Sequence, residues 1–181
     1  MKPYQPEGLW REVAMPQSNT RTYERGEGDE LWRRSVYTYW KRAAPPPSML
    51  TLDAPTREFC TIRRMSTNTP LQALVLWNDV QFVEAARAVA GRVMVEAEGD
   101  SARLAYLYRL CTGGALDEVR GGALASALGE FRARYRGRRR MRALVRSGES
   151  PLPEGVDVEE LAAWTMVASA VLSSDSAIVK N

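Results

Sequence analysis

The sequence predicts a mainly α fold: a helical bundle of about four to six helices, preceded by a long irregular segment rich in proline and aromatic residues. Three observations carry this expectation. Eight of the 10 prolines lie within the first seventy residues, which excludes long helices there. From Thr67 onward, capped segments with helical apolar spacing follow one another at short intervals. No strand pattern of convincing length competes with them, since the weakly alternating Phe59-Cys60-Thr61-Ile62 would be one isolated strand and one strand makes no sheet. Residues 1–66 are therefore read as an irregular segment packed on a bundle formed by 67–181, the two together making one domain.

In the first part, one short helix fits between Asp29-Glu30 and Lys41-Arg42. Its stripe would be Trp32, Val36, Tyr39 and Trp40, with acids before it and bases after it, as the helix dipole favours. Pro45-Pro46-Pro47 is expected to be extended. Tyr4, Trp10, Tyr23, Trp32, Tyr37, Tyr39 and Trp40 bring more ring surface than a loose tail would leave in water.

Thr69-Pro70-Leu71-Gln72 combines a threonine N-cap, proline at the first helical position and glutamine three residues after the cap, so a helix begins here. Leu71, Leu74, Val75, Asn78, Phe82, Ala86, Val89, Ala90 and Val93 keep helical spacing, and Asp79 can cap a restart. Ser101 opens the next helix, with Leu104, Leu107, Tyr108 and Cys111 on one side and Gly113-Gly114 at its end. Asp117 caps another, with Leu124, Leu128, Phe131 and Tyr135 facing in and Gly137 as its stop. The last is read from Val156 stapling to Leu161 across an Asp157 cap, with Glu160 completing the capping box. Its buried side would be Leu161, Trp164, Ala168, Val171 and Leu172.

The 181 residues include no histidine, which removes imidazole base catalysis, Ser-His-Asp and Cys-His machinery and histidine-ligated zinc. No carboxylate cluster has the spacing of a metal loop, so no metal site is expected. Cys60 and Cys111 could form one bridge or remain two thiols. No run is long and apolar enough for a membrane span, and Met1-Lys2-Pro3-Tyr4-Gln5-Pro6 has no apolar stretch of the kind a signal peptide needs. The net charge of +3 is unevenly spread: +3 over 1–70, −1 over 71–110, +6 over 111–148 and −5 over 149–181. The basic stretch can therefore be neutralised by the acidic end of the same chain.

Two groups of residues are candidates for chemistry. Tyr37, Trp40, Lys41, Arg42, Asp53, Arg57 and Asn68 mix aromatic platforms with cations and an acid, as sugar or anionic-ligand sites do; ring packing and ion pairs that pin an irregular segment use the same residues. Asp53 and Glu58 could act as paired acids, and Asn68, Asn78 and Asp79 also read as caps. Arg138, Arg139 and Arg140, within a run from Arg132 to Arg146, could bind phosphate or sulfate; a solvated helix face is the simpler explanation. Nucleic acid is not an expected partner, because only Tyr135 interleaves as a stacking group.

Several words of the sequence resemble a known family. They are Arg33-Arg34-Ser35-Val36-Tyr37-Thr38-Tyr39-Trp40-Lys41-Arg42, Pro45-Pro46-Pro47-Ser48-Met49, Asp53-Ala54-Pro55-x-Arg57-Glu58-x-Cys60 and Thr67-Asn68-Thr69-Pro70-Leu71-Gln72-Ala73-Leu74. The opening Lys2 to Trp10, the Asn78-Asp79-x-Gln81-Phe82-Val83-Glu84-Ala85-Ala86-Arg87 run and Glu160 to Thr165 match as well. The chain is similar to the C-terminal domain of unknown function of planctomycete-type cytochrome c domain-containing proteins. The resemblance implies an extracytoplasmic C-terminal fragment whose partners are the upstream domains of a larger protein. It implies haem for the upstream part alone, with no cofactor in this segment, and a link to polysaccharide degradation. It supplies no catalytic residues, so the expected role is structural or substrate-contacting, without enzyme activity of the segment by itself. The alternatives are a share in a polysaccharide-degrading active site and anionic-polymer binding. Val80 stands where the family has proline, and Gly113-Gly114 lacks its Arg-x-Pro.

Overall fold

The computed structural model describes residues 1–138 and 141–179. Among these it is mainly helical, with ten α-helices, five of them of seven residues or more, and no strand. The chain divides into two compact units, Met1–Thr67 and Asn68–Asn181.

In the first unit, α1 (Leu9–Val13), α2 (Asp29–Trp32), a 3-10 turn (Ser35–Tyr37) and α3 (Pro47–Thr51) are all short, joined by irregular chain with one antiparallel bridge between Lys41 and Ala44. The helix expected up to Lys41 stops at Trp32, because Arg33 turns extended (ψ 159°). Val36, Tyr37, Thr38, Tyr39 and Trp40 are β-branched or aromatic and disfavour helix. The intended stripe is not buried either, with Val36 at 67% exposure. Pro47 is not extended as expected; it opens α3, the one place in a helix where proline costs nothing. What holds this unit is backbone pairing of its first residues. The Met1 amine donates to Tyr37 O (2.9 Å), Tyr39 N–H to Met1 O (2.8 Å) and Gly26 N–H to Lys2 O (2.8 Å).

The second unit is the bundle. The Thr69–Gln72 capping box forms in both directions and starts α4 (Pro70–Asn78). Asp79 is extended, ends α4 and caps α5 (Val80–Glu96) by accepting from Gln81 N–H (2.9 Å), so the break occurs without a proline. Gly113, left-handed at φ 80°, closes α6 (Asp100–Thr112), and Asp117 caps α7 (Glu118–Tyr135). After α8 (Met141–Val145) come α9 (Val158–Leu172) and α10 (Asp175–Ile178).

Helix α9 packs against α4, α5, α6, α7, α8 and α10. Leu161, Trp164, Ala168 and Val171 are buried as expected, but so are Ala162, Ala163, Thr165 and Val167, since a central helix has no solvent side. Opposite it, Val83, Ala86, Ala90 and Val93 form the inner stripe of α5. Leu71 and Leu74 of α4 follow the same spacing yet remain exposed.

Two buried charges on α5 hold the loop that precedes α9. Glu84 Oε1 accepts from Glu149 N–H (2.7 Å) and Ser150 N–H (2.5 Å), while Arg87 donates to Ser150 O (2.7 Å) and Pro151 O (3.3 Å). Gly148, at φ 81°, lies against the Glu84 carboxylate, where any Cβ would collide. Gly91 makes the same concession to Pro153, whose Cγ would lie 2.9 Å from a Cβ there. A second network ties three helices: Arg132 of α7 bonds Glu160 of α9 (Nε to both oxygens, 3.0 Å) and Asp100 of α6 (2.8 Å). Glu160 also accepts from Trp164 Nε1 (2.8 Å), so it does not complete the expected capping box; Asp157 caps α9 through Glu159 N–H instead.

Candidate functional site

The expected ligand-contacting residues are scattered over separate local tasks. Lys41 donates its ammonium to Thr20 O (2.6 Å) and lies over the Trp10 ring, 4.7 Å from its centroid. Arg57 covers the ring of Trp40 at 4.8 Å. Asp53 Oδ2 accepts from both the N–H (2.8 Å) and the hydroxyl (2.7 Å) of Thr67, which closes the stretch 53–67 into a loop. Asp53 and Arg57 are the two non-glycine residues with left-handed backbone among the described residues (φ 60° and 64°). Tyr37 and Arg42 are exposed, and Asn68, exposed too, opens the second unit.

In the second unit the basic run loses one member to structure, because Arg132 is held by Asp100 and Glu160. Hydrogen bonds to these two carboxylates hold the guanidinium well above its ordinary value. Arg134 and Arg138 line a recess of about 240 Å³ with Tyr135 and Leu144. Arg139 and Arg140 lie outside the described residues.

A cleft in the first unit is built from residues 4 to 25. It has a volume of about 750 Å³, and its walls include Tyr4, Gln5, Trp10, Arg11, Arg21 and Tyr23. The Tyr23 hydroxyl donates to Pro3 O (2.5 Å), and burial pushes its pKa up to about 12 although Arg25 opposes the rise. Tyr23 meets Trp10 edge to face, with ring centroids 4.8 Å apart, and Tyr39 tilts against Trp10 at 5.5 Å. Trp10 is therefore almost fully buried (3% exposed), but its Nε1–H has no hydrogen-bond partner. Neither the Oε1 nor the Nε2 of Gln5, both shut off from solvent, has one. Native proteins leave few such atoms, and each costs about 1–3 kcal/mol of desolvation.

Residue type and spacing assign Tyr4, Trp10 and Tyr23 no site role beyond the burial of their rings, and they point to no ligand role for Gln5, Arg11 or Arg21. The signal available was the density of rings and guanidiniums before residue 26. Of the two states open to the cysteines, the structure shows two free thiols. Cys60 is an exposed free thiol, and Cys111 is a partly buried one whose pKa burial raises to about 11.

No curated protein and no solved structure matches this chain. One family model does, over residues 1–123, a stretch that contains the whole first unit with its cleft and α4 to α6. The chain thus belongs to the family described as PSD1, protein of unknown function (DUF1553).

Proposed function

We propose that this chain is the non-haem helical C-terminal module of an exported planctomycete-type cytochrome c domain protein, and that it contacts polysaccharide rather than cleaving it unaided. The single observation behind the contact role is the 750 Å³ cleft, which Tyr4 and Tyr23 line together with the exposed guanidiniums of Arg11 and Arg21. Its size is that of ligand pockets, roughly 300–1,000 Å³. The sequence words shared with the cytochrome-linked proteins support the placement in a larger exported assembly. The test is hydrogen exchange of the chain in the presence of a panel of plant and algal oligosaccharides. Amides between Tyr4 and Arg25 should gain protection with at least one glycan; protection by none overturns the contact role.

A second reading makes the turn around Asp53 part of a polysaccharide-degrading active site completed by upstream domains. Its support is the left-handed backbone of Asp53 and Arg57, since strained non-glycine residues gather at functional sites. Asp53→Asn preserves both the backbone preference and an acceptor for Thr67. In a full-length family protein, it should abolish glycan turnover without lowering the melting temperature; unchanged turnover removes this reading.

A further inference from the structure

We infer that the loop between Asp53 and Thr67 is a docking element for an anionic lipid surface: Phe59, Ile62 and Met65 enter the headgroup interface, and Arg63 and Arg64 meet the lipid phosphates. This role is independent of the cleft and of any glycan. It begins from an apolar excess that the fold leaves in water. Residues 55–66 are all exposed, and within this one stretch Phe59 is 71% exposed, Met65 70% and Ile62 fully. Single exposed apolar side chains are ordinary, but three large ones on one short loop mark a surface that gains by being covered. The loop is nevertheless fastened. Asp53 Oδ2 joins its two ends by accepting from Thr67 N–H (2.8 Å) and hydroxyl (2.7 Å), and the Arg57 guanidinium lies over the Trp40 ring at 4.8 Å. A surface that takes the tip therefore holds the first unit with it.

Charge and backbone identify the occupant. Arg57, Arg63 and Arg64 stand against the one carboxylate of Glu58 in this stretch. Arg57 is engaged with Trp40, so the arginines left to a partner are Arg63 and Arg64, which take part in none of the ion pairs among the described residues. Cations beside exposed apolar side chains match a surface that is negative on top and apolar just beneath, as an anionic phospholipid interface is. Among the described residues the backbone of 55–66 makes a single hydrogen bond, from Glu58 N–H to Thr56 Oγ1 (3.5 Å). A protein groove would require such a chain to be ordered into one shape, at a cost in affinity. A fluid interface takes it in many shapes, and its water and headgroups meet the free N–H and C=O groups. The same free backbone keeps the insertion shallow, because hydrocarbon would leave those groups unsatisfied.

The experiment is co-sedimentation of the intact chain with phosphatidylcholine vesicles, with and without phosphatidylglycerol, at low and high salt, beside soluble polyglutamate as a stand-in for an acidic protein. Expected is binding to the anionic vesicles at least about tenfold tighter than to phosphatidylcholine alone, weakening with salt. The R63Q/R64Q variant should bring the two vesicle types to within about threefold of each other. F59S/I62S should weaken binding to the anionic vesicles at least about tenfold. Both variants should keep the parent melting temperature, because all four side chains are exposed. Equal binding of the parent to both vesicle types, or parent-like binding to the anionic vesicles in either variant, overturns the inference. Polyglutamate bound as tightly as the anionic vesicles overturns it too, since an acidic protein would then serve as well as lipid. So does binding to no vesicle at all.

Discussion

In the second unit Glu84 and Arg87 are 2% and 1% exposed, and the carboxylate and both terminal guanidinium nitrogens have partners in the 148–151 loop or in each other. In the first unit the buried polar atoms of Gln5, Trp10 and Trp40 have none. In the bundle, Ser173 Oγ is in that condition. The difference teaches which part of the chain is finished by folding alone. A helix satisfies its own backbone, so its buried side chains can be devoted to fixing neighbouring loops. An irregular segment has no such ladder, and it buries polar atoms that folding leaves without partners.

The strongest way to break this contrast is Glu84→Ala. It removes the carboxylate that pairs with buried Arg87 and receives the Glu149 and Ser150 N–H groups, so it should cost about 3–5 kcal/mol in urea unfolding. A loss below about 1 kcal/mol would mean that the loop is held elsewhere and that the second unit is no better satisfied than the first.

Arg132→Met has a smaller expected cost, about 1 kcal/mol, because the guanidinium and its partners are partly in water. Its sharper signature is in pH. The hydrogen bond from Arg132 holds the Asp100 carboxyl below its ordinary 3.8. Burial raises Glu160, yet the bonds from Arg132 and Trp164 prevail and keep it below 4.5. Folded values below unfolded ones mean stability that is present above about pH 4.5 and lost as pH falls through the lower folded values. The melting temperature of the parent should therefore drop more steeply between pH 5 and 3 than that of Arg132→Met, a window set by these two carboxyls. Parallel curves would show that the network contributes nothing to acid sensitivity.

The smallest effect is expected of Arg57→Gly. Relief of a left-handed arginine, about 1–2 kcal/mol, is offset by the lost contact with Trp40 and the added freedom of glycine, so the net change should lie within about 0.5 kcal/mol of zero. A loss above about 1 kcal/mol in chemical unfolding would identify the Arg57–Trp40 contact as a main support of the first unit.

Much of the bundle was legible because its signals are short-range. Thr69 and Gln72, Asp117, Asp157 and Gly113 act on backbone groups within four residues, so the sequence order already contains their geometry. Glu160 was misread for the complementary reason: three residues after its cap it could turn back, but Arg132, 28 positions away, offers a charged partner instead. The stretch from Asp29 to Trp40 failed similarly, since an apparent stripe says nothing about whether a neighbour exists to bury it. The cleft was the least legible feature. Its residues come from irregular chain with no period, and their unpartnered state is a property of three-dimensional packing that spacing does not carry.

The contrasting thiols have a practical consequence. With Cys111 held in its protonated form far above neutral pH and Cys60 open to solvent, a maleimide dye or nitroxide added at pH 7 attaches to Cys60 almost alone. The native protein thus offers a ready-made reporter position on its irregular half, with no engineered cysteine and no substitution in the bundle.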